Sequence, residues 1–352
     1  MARCAPDRLR DSLGRTLLTS LTAAVFTLAV PAPSDAGSDA QPIKIDPLAR
    51  GLAGSIGGTV GPDDALYVPQ FALGEITRVD PEAGALQPFA SGLPLPAIPG
   101  VYGGVFDVGF HGGQAYALVT LSDAPQFLND LGIADTGANG LYRIDGPTHW
   151  TLIADLGEFA RQNPPTGFDY FLPEGVQFAL EPVSGGFLVT DGHHNRVLFV
   201  TLAGGVSIVR QFGNVVPAGI DAVGGEVLIA RSGAISGSAG AFRAIGDIAT
   251  LDGEEVAAGI SMAVDVQAGP GNSLYALSQG EWDANLGPDA AGAPALPGTG
   301  RLLRVDGDGS SVSLVDGIDL PTSLHFIGGT AYVVTLAGDV WKVRGVSGAQ
   351  RP

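Results

Sequence analysis

The sequence predicts an all-β fold, a six-bladed β-propeller of four-stranded antiparallel blades whose ring is closed by the N-terminal strand. Three observations support this prediction. A strand pattern recurs six times, a glycine-rich turn precedes each copy, and the two ends of the chain each supply part of one blade. The copies read A-L-Y-V, Q-A-Y-A, G-F-L-V, E-V-L-I, S-L-Y-A and T-A-Y-V, and they begin at residues 65, 114, 186, 226, 273 and 330. Their spacing of roughly 40 to 70 residues suits one blade with loops of variable length.

Each copy is predicted to be the second strand of its blade, because turns such as H-G-G or S-G-G directly precede it and favour a hairpin. Third strands ending in R-V-D or R-I-D follow at 76–80, 141–145 and 302–306. Apolar fourth strands follow those at 150–155 and 311–316. In the fourth blade, 241–246 reads A-F-R-A-I-G and lacks this ending, so its outer strands stay unassigned.

The ends of the chain predict how the ring closes. The last copy offers strands at 323–327, 331–336 and 339–343, one strand too few for a blade. Residues 42–52 precede the first copy without a blade of their own. We therefore expect this N-terminal strand to complete the last blade, which leaves no sheet edge unpaired.

Residues 1–36 have the pattern of a signal peptide, and residues 37–352 are predicted to form a single propeller domain. Four arginines lie among residues 3–15, an apolar stretch covers 16–30, and small residues end the segment at 34–36. The expected location is therefore periplasmic or secreted, with no membrane span after cleavage. An uncleaved membrane anchor is the alternative. The single cysteine, Cys4, lies in this segment, so the mature chain has no disulfide.

The composition is acidic and rich in turn residues, with 53 Gly, 25 Pro and 15% charged residues. Without residues 1–36, which hold four Arg and three Asp, 14 basic and 33 acidic residues remain, a net charge of −19. Such a surface repels nucleic acid and anionic lipid, so neither is expected as a partner. The charge is explained by solubility or by a cationic partner. We expect a monomer.

Nearly all long insertions fall on loops of one end of the predicted propeller, where recognition usually occurs. They cover 93–104, 122–139, 158–174, 231–240 and 279–299. Their aromatic residues are Tyr102, Phe127, Phe159, Phe168, Tyr170, Phe171 and Trp282. Together with acidic residues such as Glu174, these side chains either form an amphipathic pocket for an aromatic or sugar-like ligand or pack the insertions onto the propeller.

The first strands of the blades place polar residues among apolar neighbours, so alternation points these polar side chains into the central channel. The predicted ring consists of Asp107, Gln177, Asp221, Asp265 and His325, with Gly57 of the first blade as the sixth member. Carboxylate oxygens suit hard cations, so Asp107, Asp221 and Asp265 are candidate ligands for Ca²⁺ or Mg²⁺. A hydrated channel without an ion is the alternative.

His193 and His194 are further candidates on the long-loop end. Adjacent residues of an extended chain point to opposite sides, so the two histidines are not expected to bind one ion. They are interpreted as surface or turn residues, with a ligand or acid-base role as the alternative. The sequence contains no G-x-S-x-G, H-E-x-x-H or P-loop motif.

Two resemblances add to these observations. T-D-G-H-H-N-R-V at 190–197 resembles the D-S-G-N-H-R-I stretch of NHL-repeat propellers, which implies that Asp191 and Arg196 form a structural pair. The segments G-G-V-F-D-V, G-L-Y-R-I-D-G-P, Y-A-L-S-Q-G-E-W and P-T-S-L-H-F-I-G-G-T-A-Y-V-V-T-L, in this order, resemble the ScyD/ScyE family of propellers, first associated with biosynthesis of the pigment scytonemin. That resemblance implies the fold and no catalytic residues.

Two functional hypotheses follow. The first is an exported, non-catalytic propeller that binds a small molecule, glycan or protein partner on its long-loop end through Glu174, His193, His194, Tyr170 and Trp282. The second is a Ca²⁺-dependent hydrolase that resembles the gluconolactonase and regucalcin propellers. That resemblance implies Glu174, Asp107, Asp221 and Asp265 as residues around the metal.

Overall fold

Six antiparallel sheets form the blades of a β-propeller, as the sequence predicts. This computed structural model describes residues 42–98, 102–123, 125, 135–236, 241–243, 245–283, 285–286 and 293–348. The predicted signal peptide, residues 1–36, lies outside them. Within the described ranges no helix is long and apolar enough to cross a membrane.

The strands of five blades run outward from the central axis in chain order, and in the last blade the N-terminal strand takes the outermost place. The innermost strands are β2 (Thr59–Val60), β6 (Gly104–His111), β10 (Gln177–Val183), β14 (Val216–Val223), β19 (Ala263–Ala268) and β23 (Pro321–Ile327). The second strands are β3 (Leu66–Gln70), β7 (Gln114–Thr120), β11 (Gly186–Asp191), β15 (Glu226–Ser236), β20 (Leu274–Ser278) and β24 (Thr330–Thr335). The third strands are β4 (Glu75–Val79), β8 (Gly140–Gly146), β12 (Arg196–Thr201), β17 (Ile245–Thr250), β21 (Gly300–Val305) and β25 (Val340–Arg344). The outermost strands are β5 (Leu86–Ala90), β9 (His149–Asp155), β13 (Val206–Gln211), β18 (Glu255–Ser261), β22 (Ser311–Ile318) and β1 (Lys44–Ala49).

The N-terminal strand completes the last blade, which confirms the predicted closure. β1 pairs antiparallel with β25, with Lys44 opposite Arg344 and Asp46 opposite Lys342. The Arg344 guanidinium also donates to Asp46 Oδ2 at 2.7 Å. The ring is therefore fastened by main-chain pairing between segments from the two ends of the sequence.

The apolar side chains form six clusters, one at each junction between neighbouring blades. Between the first and second blades, Ile76 and Tyr67 pack with Val105 and Val108. At the closing junction, Leu66 and Val68 of the first blade pack with Val334 and Val340 of the last. This arrangement lets about 300 residues form one ring without a single large core.

The two ends of the propeller differ in loop length. Connections from first to second and from third to fourth strands have two to six residues, and they define the tight-turn end. In two of these turns both residues are glycines with positive φ, Gly112–Gly113 and Gly224–Gly225, as a two-residue hairpin requires. The opposite, long-loop end carries the predicted insertions. One of them contains the helix α1 (Leu156–Gln162), capped by Asp155, whose carboxylate accepts from the Glu158 N–H at 2.7 Å.

The fourth blade departs from the others where its sequence pattern does. Its third strand is β17, which begins at Ile245, so 241–246 supplies only the first two residues of that strand. Residues Ala241–Arg243 instead form a short strand, β16, that pairs with the extended end of β15. Arg231 and Asp247 lie opposite each other on β15 and β17 and form an ion pair.

Candidate functional site

An axial cavity of about 530 Å³ lies in the central channel and extends from the long loops to Pro182, Ala268 and Phe326, near the tight-turn ends of their strands. Innermost strands of all six blades contribute to its wall, and residues of the long loops complete it. Its aromatic lining residues are Tyr102, Phe106, Phe171, Phe178, Trp282 and Phe326. Phe106 and Phe178 stack on each other with ring centroids 6.1 Å apart. The cavity is therefore concave and mostly apolar, as small-molecule sites usually are.

The five polar residues of the predicted ring do not lie at one height along the channel axis. The prediction that all five occupy equivalent positions on their strands is therefore wrong. Asp221 and His325 lie opposite Leu228 and Tyr332, each the third residue of its second-strand copy. The residues opposite Asp107, Asp265 and Gln177 are Leu118, Leu277 and Asp191. Each of these partners lies two or three residues beyond the third residue of its second-strand copy, and therefore nearer the long-loop end.

The physical reason is the tight turn, since it sets the register of each hairpin. Measured from the turn, the third blade places Glu181 at the level of Asp221 and His325, opposite Leu188. Sequence reasoning missed Glu181 because it aligned short apolar motifs, whereas the distance to the turn would have identified it.

Asp107 connects three innermost strands through its buried carboxylate. Oδ1 accepts hydrogen bonds from the N–H groups of Gly58 and Val108, and Oδ2 accepts from Leu180, each at 2.8 Å. A Cβ atom on Gly57 would lie 2.2 Å from Oδ1, so only glycine allows this close approach. Asp107 therefore joins the second blade to the first and the third.

Similar carboxyl groups join the following blades. Asp221 accepts from the Ala268 N–H at 2.7 Å, and Asp265 accepts from the Leu324 N–H at 2.7 Å. Glu181 accepts from the Ala222 N–H at 3.3 Å. We call Asp107, Glu181, Asp221 and Asp265 the axial carboxyls. They bind the backbone of the next blade, a structural role that their sequence pattern did not predict.

Burial raises the pKa of the axial carboxyls because it removes the charged form from water. The pKa of Asp107 rises to about 7, and that of Asp265 rises well above its usual value. Burial and then the neighbouring Asp221 raise the pKa of Glu181 to about 8. Burial also lowers the pKa of His325 to about 4, so this imidazole is neutral. Its Nε2 lies 2.7 Å from Ser323 Oγ, within hydrogen-bond distance.

The axial carboxyls do not fit the Ca²⁺ site predicted on Asp107, Asp221 and Asp265. Within the described ranges, no group of three or more His, Cys, Asp or Glu side chains is arranged to hold a metal ion. Asp107 and Asp265 each direct both oxygens at backbone N–H groups. Gln177 is likewise engaged, because it accepts from the Thr120 hydroxyl and donates to the Glu174 carbonyl.

His193 and His194 both bind Leu172, and their ring centroids lie 5.9 Å apart, because they lie in a turn and not on an extended chain, where opposite sides were expected. His193 Nε2 accepts from the N–H groups of Phe171 and Leu172 at 3.0 and 2.9 Å. His194 Nε2 donates to the Leu172 carbonyl at 2.9 Å, while its Nδ1 accepts from Arg196 at 3.0 Å. Both histidines are turn residues, as predicted, but neither is simply on the surface: His194 is fully buried, and His193 is half-buried and lines the cavity.

Asp191 and Arg196 form the predicted structural pair, and both are fully buried. Arg196 Nε donates to Asp191 Oδ2 at 3.0 Å, and Nη1 donates to the Asn163 carbonyl at 2.6 Å. Asp191 Oδ1 accepts from the N–H groups of Val176 and His194. We call Asp191, His193, His194 and Arg196 the loop cluster, because together they fix the long loop beside the cavity.

The aromatic residues of the insertions take both predicted roles. Tyr102, Phe171 and Trp282 line the cavity. Phe159 packs against the core between the second and third blades, and the Tyr170 ring contacts His194 instead of lining the cavity. Phe127 lies outside the described residues. Phe178 lines the cavity from β10, and its place on an innermost strand, outside the insertions, explains why the sequence did not single it out.

Glu174 is buried beside the cavity wall rather than exposed on the long-loop end. Neither of its carboxylate oxygens has a hydrogen-bond partner among the described residues. Burial raises the pKa of this carboxyl, and Arg161 counteracts the rise in part. The side chain does not line the cavity, so the structure does not bring it together with His193 or Trp282.

The fold places this protein among six-bladed propellers of several activities. No protein-family model and no curated protein matches the chain. The chain is similar to a Thermus thermophilus protein assigned as an oxidoreductase (glucose dehydrogenase), with TM-score 0.56, 13% identity, and 86% of this chain and 99% of that chain covered. It is similar to a gluconolactonase from Xanthomonas campestris, with TM-score 0.55, 11% identity, and 86% and 89% covered.

A virginiamycin B lyase from Staphylococcus aureus is also similar, with TM-score 0.50, 16% identity, and 86% of this chain and 98% of that chain covered. At these identities the likeness concerns the fold alone, because one propeller fold carries many activities. The resemblance to the ScyD/ScyE family stays a prediction.

Proposed function

We propose that this protein is an exported, non-catalytic propeller that binds a small molecule with a flat apolar part in its axial cavity. The observation that carries the proposal is the cavity itself. Its volume of about 530 Å³ suits a ligand of drug-like size, and its aromatic walls favour a flat apolar ring. Export rests on the pattern of residues 1–36.

The shape of the site favours a small molecule over the other predicted ligands, a glycan or a protein partner. A protein partner is usually recognised by a broad surface, whereas this site is a concavity at the axis of the ring. A glycan-binding site needs many free polar side chains to form hydrogen bonds with the sugar hydroxyls. Here Asp107 and Asp265 already bind backbone N–H groups.

The test is binding of N-phenyl-1-naphthylamine, a neutral aromatic probe whose fluorescence rises in apolar sites. The wild-type protein should bind it, and Trp282→Ala and Phe178→Ala should each weaken binding by about tenfold, since each removes an aromatic wall. Trp150→Ala is the matched control, because Trp150 lies on the outermost strand β9, away from the cavity. Absence of binding, or equal loss in the control, would refute the proposal.

A hydrolase is the second candidate, because the similar gluconolactonase shows that this fold supports lactone hydrolysis and because Glu181 lines the cavity as a carboxyl with a raised pKa. The test is hydrolysis of glucono-δ-lactone, with thermal melts in EDTA and after addition of Ca²⁺. If Ca²⁺ shifts no melt and Glu181→Gln and Asp265→Asn change no activity, this candidate is rejected.

A further inference from the structure

The loop cluster fixes the protonation pattern of a histidine at the cavity wall. His193 Nε2 accepts two main-chain hydrogen bonds, from Phe171 and Leu172, so it carries no proton. Burial lowers the pKa of His193 to about 4, so the ring is neutral at pH 7. A neutral imidazole holds one proton, which must therefore be on Nδ1. The Phe171 ring meets the imidazole edge to face, with centroids 4.4 Å apart, and fixes the ring plane.

The Nδ1–H group of His193 has no hydrogen-bond partner among the described residues. Several of the other polar side chains that line the cavity are already engaged with the protein. Asp107 and Asp265 bind backbone N–H groups, Ser323 and His325 bind each other, and Gln279 accepts from the Ala295 N–H. His193 Nδ1–H thus offers an unpaired donor beside the aromatic walls of the cavity, and a ligand that brings the matching acceptor gains a hydrogen bond there.

We infer that the His193 Nδ1–H donates to an acceptor oxygen of the ligand, so that the ligand is an aromatic compound with a carbonyl, ether or carboxylate oxygen beside its ring. This inference rests on the proposed function, since it concerns the same cavity. His193 is then a specificity-determining residue. Its Nε2 positions Phe171 against the aromatic part of the ligand, while its Nδ1 selects the oxygen.

The test compares 2-acetylnaphthalene with 2-ethylnaphthalene, two probes that differ only in a carbonyl oxygen in place of two hydrogens. Each competes with N-phenyl-1-naphthylamine on the wild-type protein and on His193→Gln. The glutamine oxygen can still accept from the N–H groups of the loop but leaves no donor at the place of Nδ1. We expect the preference for the acetyl probe, as a ratio of the two dissociation constants, to fall about fivefold in the variant.

Using the ratio cancels the different hydrophobicity of the probes, and His149→Gln, on the exposed end of β9, is the matched control. An unchanged ratio in His193→Gln, with both probes bound, overturns the donor role and leaves the binding function standing. Equal weakening of both probes also overturns it, because the histidine then only holds the loop. If no probe and no N-phenyl-1-naphthylamine binds the wild type, both the inference and the proposed function fail.

Discussion

The axial carboxyls and the loop cluster are both buried polar groups, yet they are organised in opposite ways. The axial carboxyls are spread over four blades, and each binds mainly backbone N–H groups at the junction with the next blade. The loop cluster is concentrated in the third blade, where Asp191, His194 and Arg196 bind one another and the loop beside the cavity. The first set holds the ring together, and the second shapes the cavity.

This difference shows that polarity at the axis of a propeller is a poor guide to ligand binding. The carboxyls that face the channel form hydrogen bonds with the backbone of the neighbouring blades. The binding properties of the cavity come instead from aromatic residues and one oriented imidazole. A change in the loop cluster should therefore affect stability and binding together, while a change in Asp221, the axial carboxyl that does not line the cavity, should affect stability alone.

The largest effect is expected from Arg196→Leu. It leaves Asp191 buried without its cation, which should lower the free energy of unfolding by roughly 3–5 kcal/mol in urea denaturation. Binding of N-phenyl-1-naphthylamine should weaken as the loop loosens. Arg143→Leu is the control, since the Arg143–Asp145 pair is exposed and screened by water. A similar small loss for both variants would contradict the role of the cluster.

Asp221→Asn tests the axial carboxyls. The amide can place an N–H group against the Ala268 N–H, so we expect a loss of roughly 1–3 kcal/mol with unchanged probe binding, because Asp221 does not line the cavity. The comparison variant is Asp252→Asn, in an exposed turn of the same blade. A drop in probe affinity with intact stability would break the distinction between the two sets.

Glu181→Gln should remove a pH dependence of stability. The pKa of Glu181 in the folded protein, about 8, lies above its unfolded value of about 4.5. Its contribution is therefore fully present below the unfolded pKa and is lost as pH rises through 8. Compared with the wild type, the variant should gain roughly 1–2 kcal/mol between pH 5 and pH 8. Parallel stability curves for the two proteins over this range would show that Glu181 is not buried as described.

The smallest effect is expected from acidification at His193, whose pKa is lowered to about 4 by burial and by His194, against the opposing effect of Asp191. Its contribution is present above the unfolded value near 6.5 and is lost as pH falls toward 4. Between pH 7.5 and 5.5 the wild type should lose about 1 kcal/mol relative to His193→Gln, measured by urea denaturation. A constant difference would count against the neutral imidazole.

Much of the fold follows from the sequence because hairpin turns and strand alternation are local. All six second-strand copies lie on second strands, and residues 44–49 close the ring within the predicted range 42–52. The outer strands of the fourth blade could not be assigned from the sequence, because the extra strand β16 replaces the usual connection between β15 and β17.

The site was predicted less well, because it depends on register and on contacts between distant segments. Asp107 and Asp221 both have apolar neighbours, so the sequence assigned them to equivalent positions. Their second-strand partners show that they lie at different heights along the channel axis. Nothing local distinguishes Glu181 from a surface carboxyl until its distance to the turn is counted. His194 is fully buried because it meets Leu172 and Arg196, and the first of these contacts spans 22 residues.

The pairing of β1 with β25 has a consequence for how the molecule unfolds. The ion pair between Asp46 and Arg344 joins residues 298 positions apart. Pairing of β1 with β25 therefore carries the entropy cost of closing a loop of nearly the whole chain. A linear array of repeats can fray from an end, whereas this ring has no terminal repeat. We therefore expect six separate apolar clusters to melt in one cooperative transition, with a slow, topology-limited step in refolding.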